Sequence, residues 1–180
     1  MKHVPNILTF IRLALIPVFV AVFFSDMDQS RFVALGIYAV ASFTDLIDGQ
    51  IARKYNVVTE LGKVMDPLAD KLMLVTVIVS FYYAGDIPWF IPVIVLVKEA
   101  FMIIMGLILY NKKERVVIPA NYFGKTATVL FTLAIVLTFF LPGNGWVLAL
   151  MYATIALKVV ALISYIFTYK KMKQKISQEG

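Results

Sequence analysis

Six long apolar runs, separated by breaks rich in turn residues, leave this chain few ways to fold. They cover about 6–24, 32–54, 62–84, 88–110, 122–141 and 146–169. Each approaches the roughly 20 residues that a helix needs to cross bilayer hydrocarbon. The breaks carry turn chemistry at Ser25-Asp26, Gly85-Asp86, Asn111-Lys112 and Pro142-Gly143-Asn144-Gly145. A soluble domain cannot hide such runs, because its surface needs roughly a quarter charged residues, and here 61% are hydrophobic and 16% charged. The expected fold is all-α: a polytopic membrane bundle of six transmembrane helices, neighbours antiparallel, forming a single domain over 1–180. The first run starts close to Met1 without a small-residue cleavage site ahead of a soluble domain, so it reads as a retained helix.

The distribution of basic residues sets the expected orientation. One set of helix ends carries Lys2, Lys54, Lys112, Lys113, Arg115, Lys170, Lys171, Lys173 and Lys175. The opposite set has Arg31 among Asp26, Asp28 and Asp86. Both termini are therefore expected in the cytoplasm. Trp89, Trp146, Tyr82 and Tyr83 fall at the outer boundary, and Tyr110, Tyr122 and Tyr169 at the inner one, as two interfacial aromatic belts. The net charge of +6 follows from this asymmetry. It is not a basic groove interleaved with aromatics, which speaks against a nucleic-acid partner. The lysine-rich end is expected to attract anionic membrane lipids. Cysteine is absent, which removes disulfide and thiolate chemistry.

The chemistry concentrates at the cytoplasmic ends of the second and third runs. Asp45 and Asp48 are three apart, Asp66 and Asp70 four apart, so each pair shares a helix face. Carboxylates at the edge of hydrocarbon cost several kcal/mol each unless compensated. Arg53, Lys63 and Lys71 offer partial relief, but an oxygen-only donor set is what Mg²⁺ or Mn²⁺ prefers. Two divalent ions would neutralise the cluster and keep open positions for phosphate oxygens, the arrangement that serves phosphoryl-type displacement. Gly49, Ala52 and Gly62 thin the helix faces for close approach of a ligand or backbone.

The pattern Asp45-x-x-Asp48-Gly49-x-x-Ala52-Arg53, eight residues, Gly62-x-x-x-Asp66-x-x-x-Asp70 resembles the signature of the CDP-alcohol phosphotransferase family at all eight fixed positions. That family's six-helix bundle agrees with the six runs. The resemblance implies that Asp45, Asp48 and Asp66 hold one metal, and Asp45, Asp66 and Asp70 surround a second. Asp70 is then also the general base on the acceptor hydroxyl. Gly49, Arg53 and Thr59 are implied to contact the cytidine nucleotide, with Asn6, Thr9 and Arg12 reaching the nucleotide or headgroup of CDP-diacylglycerol. It further implies a homodimer, and a compact chain of this kind suits a bacterial inner membrane.

The acceptor side is less defined by the signature. Pro5-Asn6-Ile7-Leu8-Thr9-Phe10-Ile11-Arg12 through Pro17, and Val116 to Thr128, resemble phosphatidylglycerophosphate synthases of that family, implying glycerol 3-phosphate as acceptor. Those synthases carry an Arg-Glu pair in the fourth span, where this chain has Lys98-Glu99. Lysine and guanidinium differ in phosphate geometry. Cardiolipin synthases of the same family, with phosphatidylglycerol as acceptor, are therefore the alternative. Lys98, Glu99, Arg115 and Lys125 are the candidate acceptor residues; for Lys98-Glu99 a mutual ion pair competes with that role, and for Lys125 a snorkelling helix-end position does. Lys158 is a candidate partner for Glu99. A divalent-cation transporter would instead distribute its acids towards the midplane of two inverted halves, and here they gather at one membrane face without a second half.

Overall fold

The computed structural model describes residues 4–55, 60–111 and 122–179, with side chains placed over 9–44, 68–104, 124–164 and 166–167. Six helices and no strand are found among the described residues: α1 (Val4–Phe23), α2 (Ser30–Tyr55), α3 (Glu60–Tyr83), α4 (Phe90–Asn111), α5 (Tyr122–Phe140) and α6 (Gly145–Glu179). Each occupies one of the apolar runs. α6 differs in length, because it continues to Glu179 beyond the end of its run at 169.

Local chemistry explains where helices stop and start. Gly85 follows α3 at φ 79°, a left-handed conformation that glycine adopts without a Cβ penalty, and its amide donates to the Tyr82 carbonyl at 3.0 Å. After α5 the chain reverses through Leu141–Asn144. Pro142 supplies the preset φ, Gly143 takes φ 66°, and the Asn144 amide donates to the Leu141 carbonyl at 3.3 Å. The Asn144 side-chain oxygen then accepts from the Trp146 amide at 2.9 Å, capping the start of α6.

The helices group into two compact units, Met1–Gly85 and Asp86–Gly180. In the first, α1 packs against both α2 and α3, while α2 and α3 meet over a shorter contact. Ala34, Tyr38 and Ala41 recur at helical spacing along the buried side of α2; the two alanines let a neighbouring backbone approach closely. Ala69, Met73, Val77 and Phe81 form the matching buried stripe of α3. Aromatic rings fill one end: Phe19 stacks on Phe23 at 5.6 Å, Phe81 meets Phe23 edge-on at 5.8 Å, and the Arg31 guanidinium lies 5.4 Å over the Phe23 ring.

In the second unit α5 and α6 pack along each other and α4 contacts α6. Ile91, Val95 and Glu99 make the buried stripe of α4, and Phe90 stacks on Tyr152 at 5.8 Å. Ala127, Phe131, Ala134, Ile135 and Phe139 of α5 are buried, as are Val147, Met151, Ile155 and Lys158 of α6. A Cβ placed on Gly124 would meet Ala161 at 3.8 Å, an ordinary van der Waals contact, so α5 and α6 leave room for a methyl group there.

The outward faces of both units are also apolar. Phe10, Phe32, Val40 and Phe43 are exposed in the first, and Val97, Val129, Val160 and Phe167 in the second. Water penalises such faces, whereas hydrocarbon does not. Among the described residues Gly145–Ser164 is by itself long and apolar enough to cross a bilayer; Thr9–Phe23, Ser30–Thr44 and Gly124–Phe140 are shorter apolar helices. The inside–outside contrast predicts unequal costs of truncation. Phe81→Ala, at a fully buried ring, should destabilise the detergent-solubilised protein by about 3–5 kcal/mol. Val129→Ala, 69% exposed, should change it by less than about 0.5 kcal/mol. Thermal unfolding in micelles checks both, and equal losses would contradict the packing.

Candidate active site

α1 brings two polar side chains into the interior of the first unit. Thr9 and Arg12 stand three residues apart, nearly one helical turn, and both are buried, Arg12 to 1% exposure. A guanidinium held so deep is costly unless compensated. Asn6 lies on the same helix, with its side chain outside the described residues.

The backbone of α2 carries Asp45, Asp48, Gly49 and Arg53 on one uninterrupted helix, and α3 carries Asp66 and Asp70. The side chains of Asp45, Asp48, Arg53 and Asp66 lie outside the described residues, as do Thr59 and Arg115 altogether. Asp70 is described. Its carboxylate is 48% exposed, and Lys71 Nζ stands 3.9 Å from Oδ2. A pair this long and open holds little energy, leaving the carboxylate available for other chemistry.

Asp70 also reaches electrostatically across to α2. Tyr38 is buried, hydrogen-bonded to the Ser42 side chain one turn on, and lies within the field of the Asp70 carboxylate. Thr44, next to Asp45 in sequence, donates its hydroxyl to the Ala41 carbonyl at 2.7 Å. Asp45 is seven residues beyond Tyr38, two helical turns and therefore the same register of α2. Asp66 precedes Asp70 by about one turn of α3. Tyr38 is not among the residues expected at the site; its seven-residue spacing puts it in register with Asp45 on α2, while its link to Asp70 on α3 has no signal in the sequence.

The second unit has its own buried polar group. Lys98 Nζ donates to Glu99 Oε1 at 2.8 Å, with Glu99 4% and Lys98 21% exposed. The two residues thus form the mutual ion pair that their adjacency allows. Lys158 is buried in α6, its Nζ 3.8 Å from the centre of the Phe131 ring on α5. That cation–π contact had no signal in the sequence, because nothing in the spacing of the runs links 131 to 158. Lys125 is exposed on the first turn of α5.

Comparison with known proteins fits this arrangement. The chain is 36% identical over 171 residues to a probable phosphatidylglycerophosphate synthase of Mycobacterium tuberculosis, covering 91% of this chain and 80% of that protein. It is 32% identical over 173 residues to the CDP-diacylglycerol–glycerol-3-phosphate 3-phosphatidyltransferase of Rickettsia bellii, covering 96% and 94%. A CMP-forming cardiolipin synthase of Streptomyces coelicolor is 31% identical over 151 residues, covering 82% and 69%. With its aspartate-bearing helices α2 and α3 inside a family match that runs from residue 2 to residue 174, this chain belongs to the CDP-alcohol phosphatidyltransferase family.

Proposed function

We propose that this membrane enzyme transfers the phosphatidyl group of CDP-diacylglycerol to sn-glycerol 3-phosphate, giving phosphatidylglycerophosphate and CMP. The observation that carries the reading is the eight-position signature on α2 and α3, joined to near full-length similarity with relatives named for this reaction. The whole chain, 1–180, acts as one catalytic domain that crosses the bilayer six times with both termini in the cytoplasm, in a bacterial inner membrane. Apolar outward faces on both units and the lysine-rich helix ends support that placement. The acid cluster then opens to the cytoplasm, and the active form is a homodimer.

The donor set of four aspartates offers oxygen alone, which suits hard divalent ions. Asp45, Asp48 and Asp66 would hold one Mg²⁺ or Mn²⁺, and Asp45, Asp66 and Asp70 a second, together supplying charge neutralisation to the pyrophosphate. Gly49, Arg53 and Thr59 bind the cytidine nucleotide, while Asn6, Thr9 and Arg12 orient the donor from α1. Asp70 takes the proton of the acceptor hydroxyl. The oxygen so freed forms a bond to the phosphorus that bears diacylglycerol, the bond from that phosphorus to the bridging oxygen breaks, and CMP leaves with the electron pair. The weak tie to Lys71 and the half-open setting of Asp70 suit a base that must meet an incoming alcohol.

Lys98, Glu99, Arg115 and Lys125 form the acceptor side. Lys98 in place of an arginine, and the similarity to a cardiolipin synthase, favour one second reading: phosphatidylglycerol as acceptor. The four signature aspartates fall on two consecutive helices, without a matching set in a second half, which argues against a cation transporter.

Three measurements test this. Purified protein with Mn²⁺ or Mg²⁺ and CDP-diacylglycerol should release CMP on addition of glycerol 3-phosphate; release with phosphatidylglycerol alone would move the acceptor and keep the chemistry. Chelation by EDTA should abolish turnover, and added Mg²⁺ or Mn²⁺ should restore it; full activity after exhaustive chelation would exclude the metal role. Asp70→Asn should lower the rate by at least about 100-fold with unchanged helical content and melting. Near-normal turnover would remove Asp70 from its role.

A further inference from the structure

Asp70 is held loosely for a group that must meet an acceptor hydroxyl in one geometry. Its carboxylate is 48% exposed, and its ion pair with Lys71 is long at 3.9 Å. Such a side chain turns readily about its own bonds, and a misplacement of about 1 Å costs a catalytic group roughly 100-fold. A more rigid neighbour stands on α2. Tyr38 is 7% exposed, in a buried stripe otherwise made of Ala34 and Ala41. Its hydroxyl shares a hydrogen bond with the Ser42 side chain, and the Asp70 carboxylate on α3 acts on it electrostatically. Tyr38, Ser42 and Asp45 stand at i, i+4 and i+7, in one register of α2. Phenylalanine would fill the same buried space with no polar atom to satisfy, so packing gives no reason for the hydroxyl.

We infer that Tyr38 is a positioning residue for Asp70: its phenol, fixed by Ser42, orients the carboxylate for the acceptor hydroxyl. Ser42 donates to the phenol oxygen, which leaves the single phenolic proton to face Asp70. One carboxylate oxygen is drawn towards α2, and the other stays open to the incoming alcohol. Tyrosine suits this task because its ring turns about only two bonds, and burial fixes both. Tyr38 touches no reacting atom and acts through Asp70 alone. The inference rests on Asp70 as the base of the proposed transfer and holds for either acceptor.

Tyr38→Phe removes the hydroxyl and keeps the ring. At saturating Mn²⁺ or Mg²⁺, kcat for CMP release should fall about 10-fold. KM for CDP-diacylglycerol and for the acceptor should stay within about twofold, with an unchanged Tm in micelles. Ser42→Ala should lower kcat in the same way. The two substitutions combined should lower it no further than Tyr38→Phe alone, because the two groups act in series. Normal kcat in Tyr38→Phe overturns the inference. So does a loss confined to KM, a kcat loss that follows a lowered Tm, or a combined loss equal to the product of the single ones. Unsubstituted protein that releases no CMP with glycerol 3-phosphate or phosphatidylglycerol refutes the proposed transfer and this inference with it. Active unsubstituted protein beside an unaffected Tyr38→Phe variant refutes the inference alone.

Discussion

Charge inside apolar surroundings has to be compensated, and the arrangement of this molecule reflects how it meets that demand. Arg12 is buried among the helices of the first unit, while Glu99 accepts a 2.8 Å hydrogen bond from Lys98 and Lys158 lies against the face of Phe131 in the second. None of these groups would be retained in hydrocarbon for stability alone, since apolar side chains of the same size fill a core more cheaply. They sit on helices whose remaining buried positions are almost all aliphatic or aromatic. The contrast separates aliphatic and aromatic packing positions from charged groups that need a compensating neighbour.

Lys98 and Glu99 illustrate how geometry resolves what adjacency leaves open. Consecutive residues on a helix point about 100° apart and do not normally face each other. The pair forms because Glu99 belongs to the buried stripe with Ile91 and Val95, while the long Lys98 stem bends round from a more open position. A lysine committed in this way holds the carboxylate of Glu99 and has less freedom to grip a phosphate. An arginine, with its five donors, could do both.

Much of the architecture was legible because hydropathy and turn chemistry speak directly to it. The apolar runs gave the six helices, and Gly85 and Pro142-Gly143 marked reversals that positive φ angles then require. The end of α6 was not legible: hydropathy reports preference for lipid and falls silent at Tyr169, whereas Lys, Met and Gln are good helix formers and the backbone continues. The aspartate pairs stood out by their three- and four-residue spacing, and the signature they belong to by its resemblance to the family pattern. The electrostatic link from Asp70 to Tyr38 and the Lys158–Phe131 contact were not legible, since each depends on how helices rotate against one another, which single-helix periodicity leaves undetermined.

The packing of α1 against both α2 and α3 bears on biogenesis. Helices leave the ribosome in order, and N-terminal elements associate first. α1 carries Thr9 and Arg12 and finds both its partners within the first 85 residues. The polar groups of that helix can therefore be sheltered soon after α3 is made, while α4 to α6 are still being translated. Early burial of the guanidinium shortens the time for which a nascent chain leaves it open to recognition by quality control.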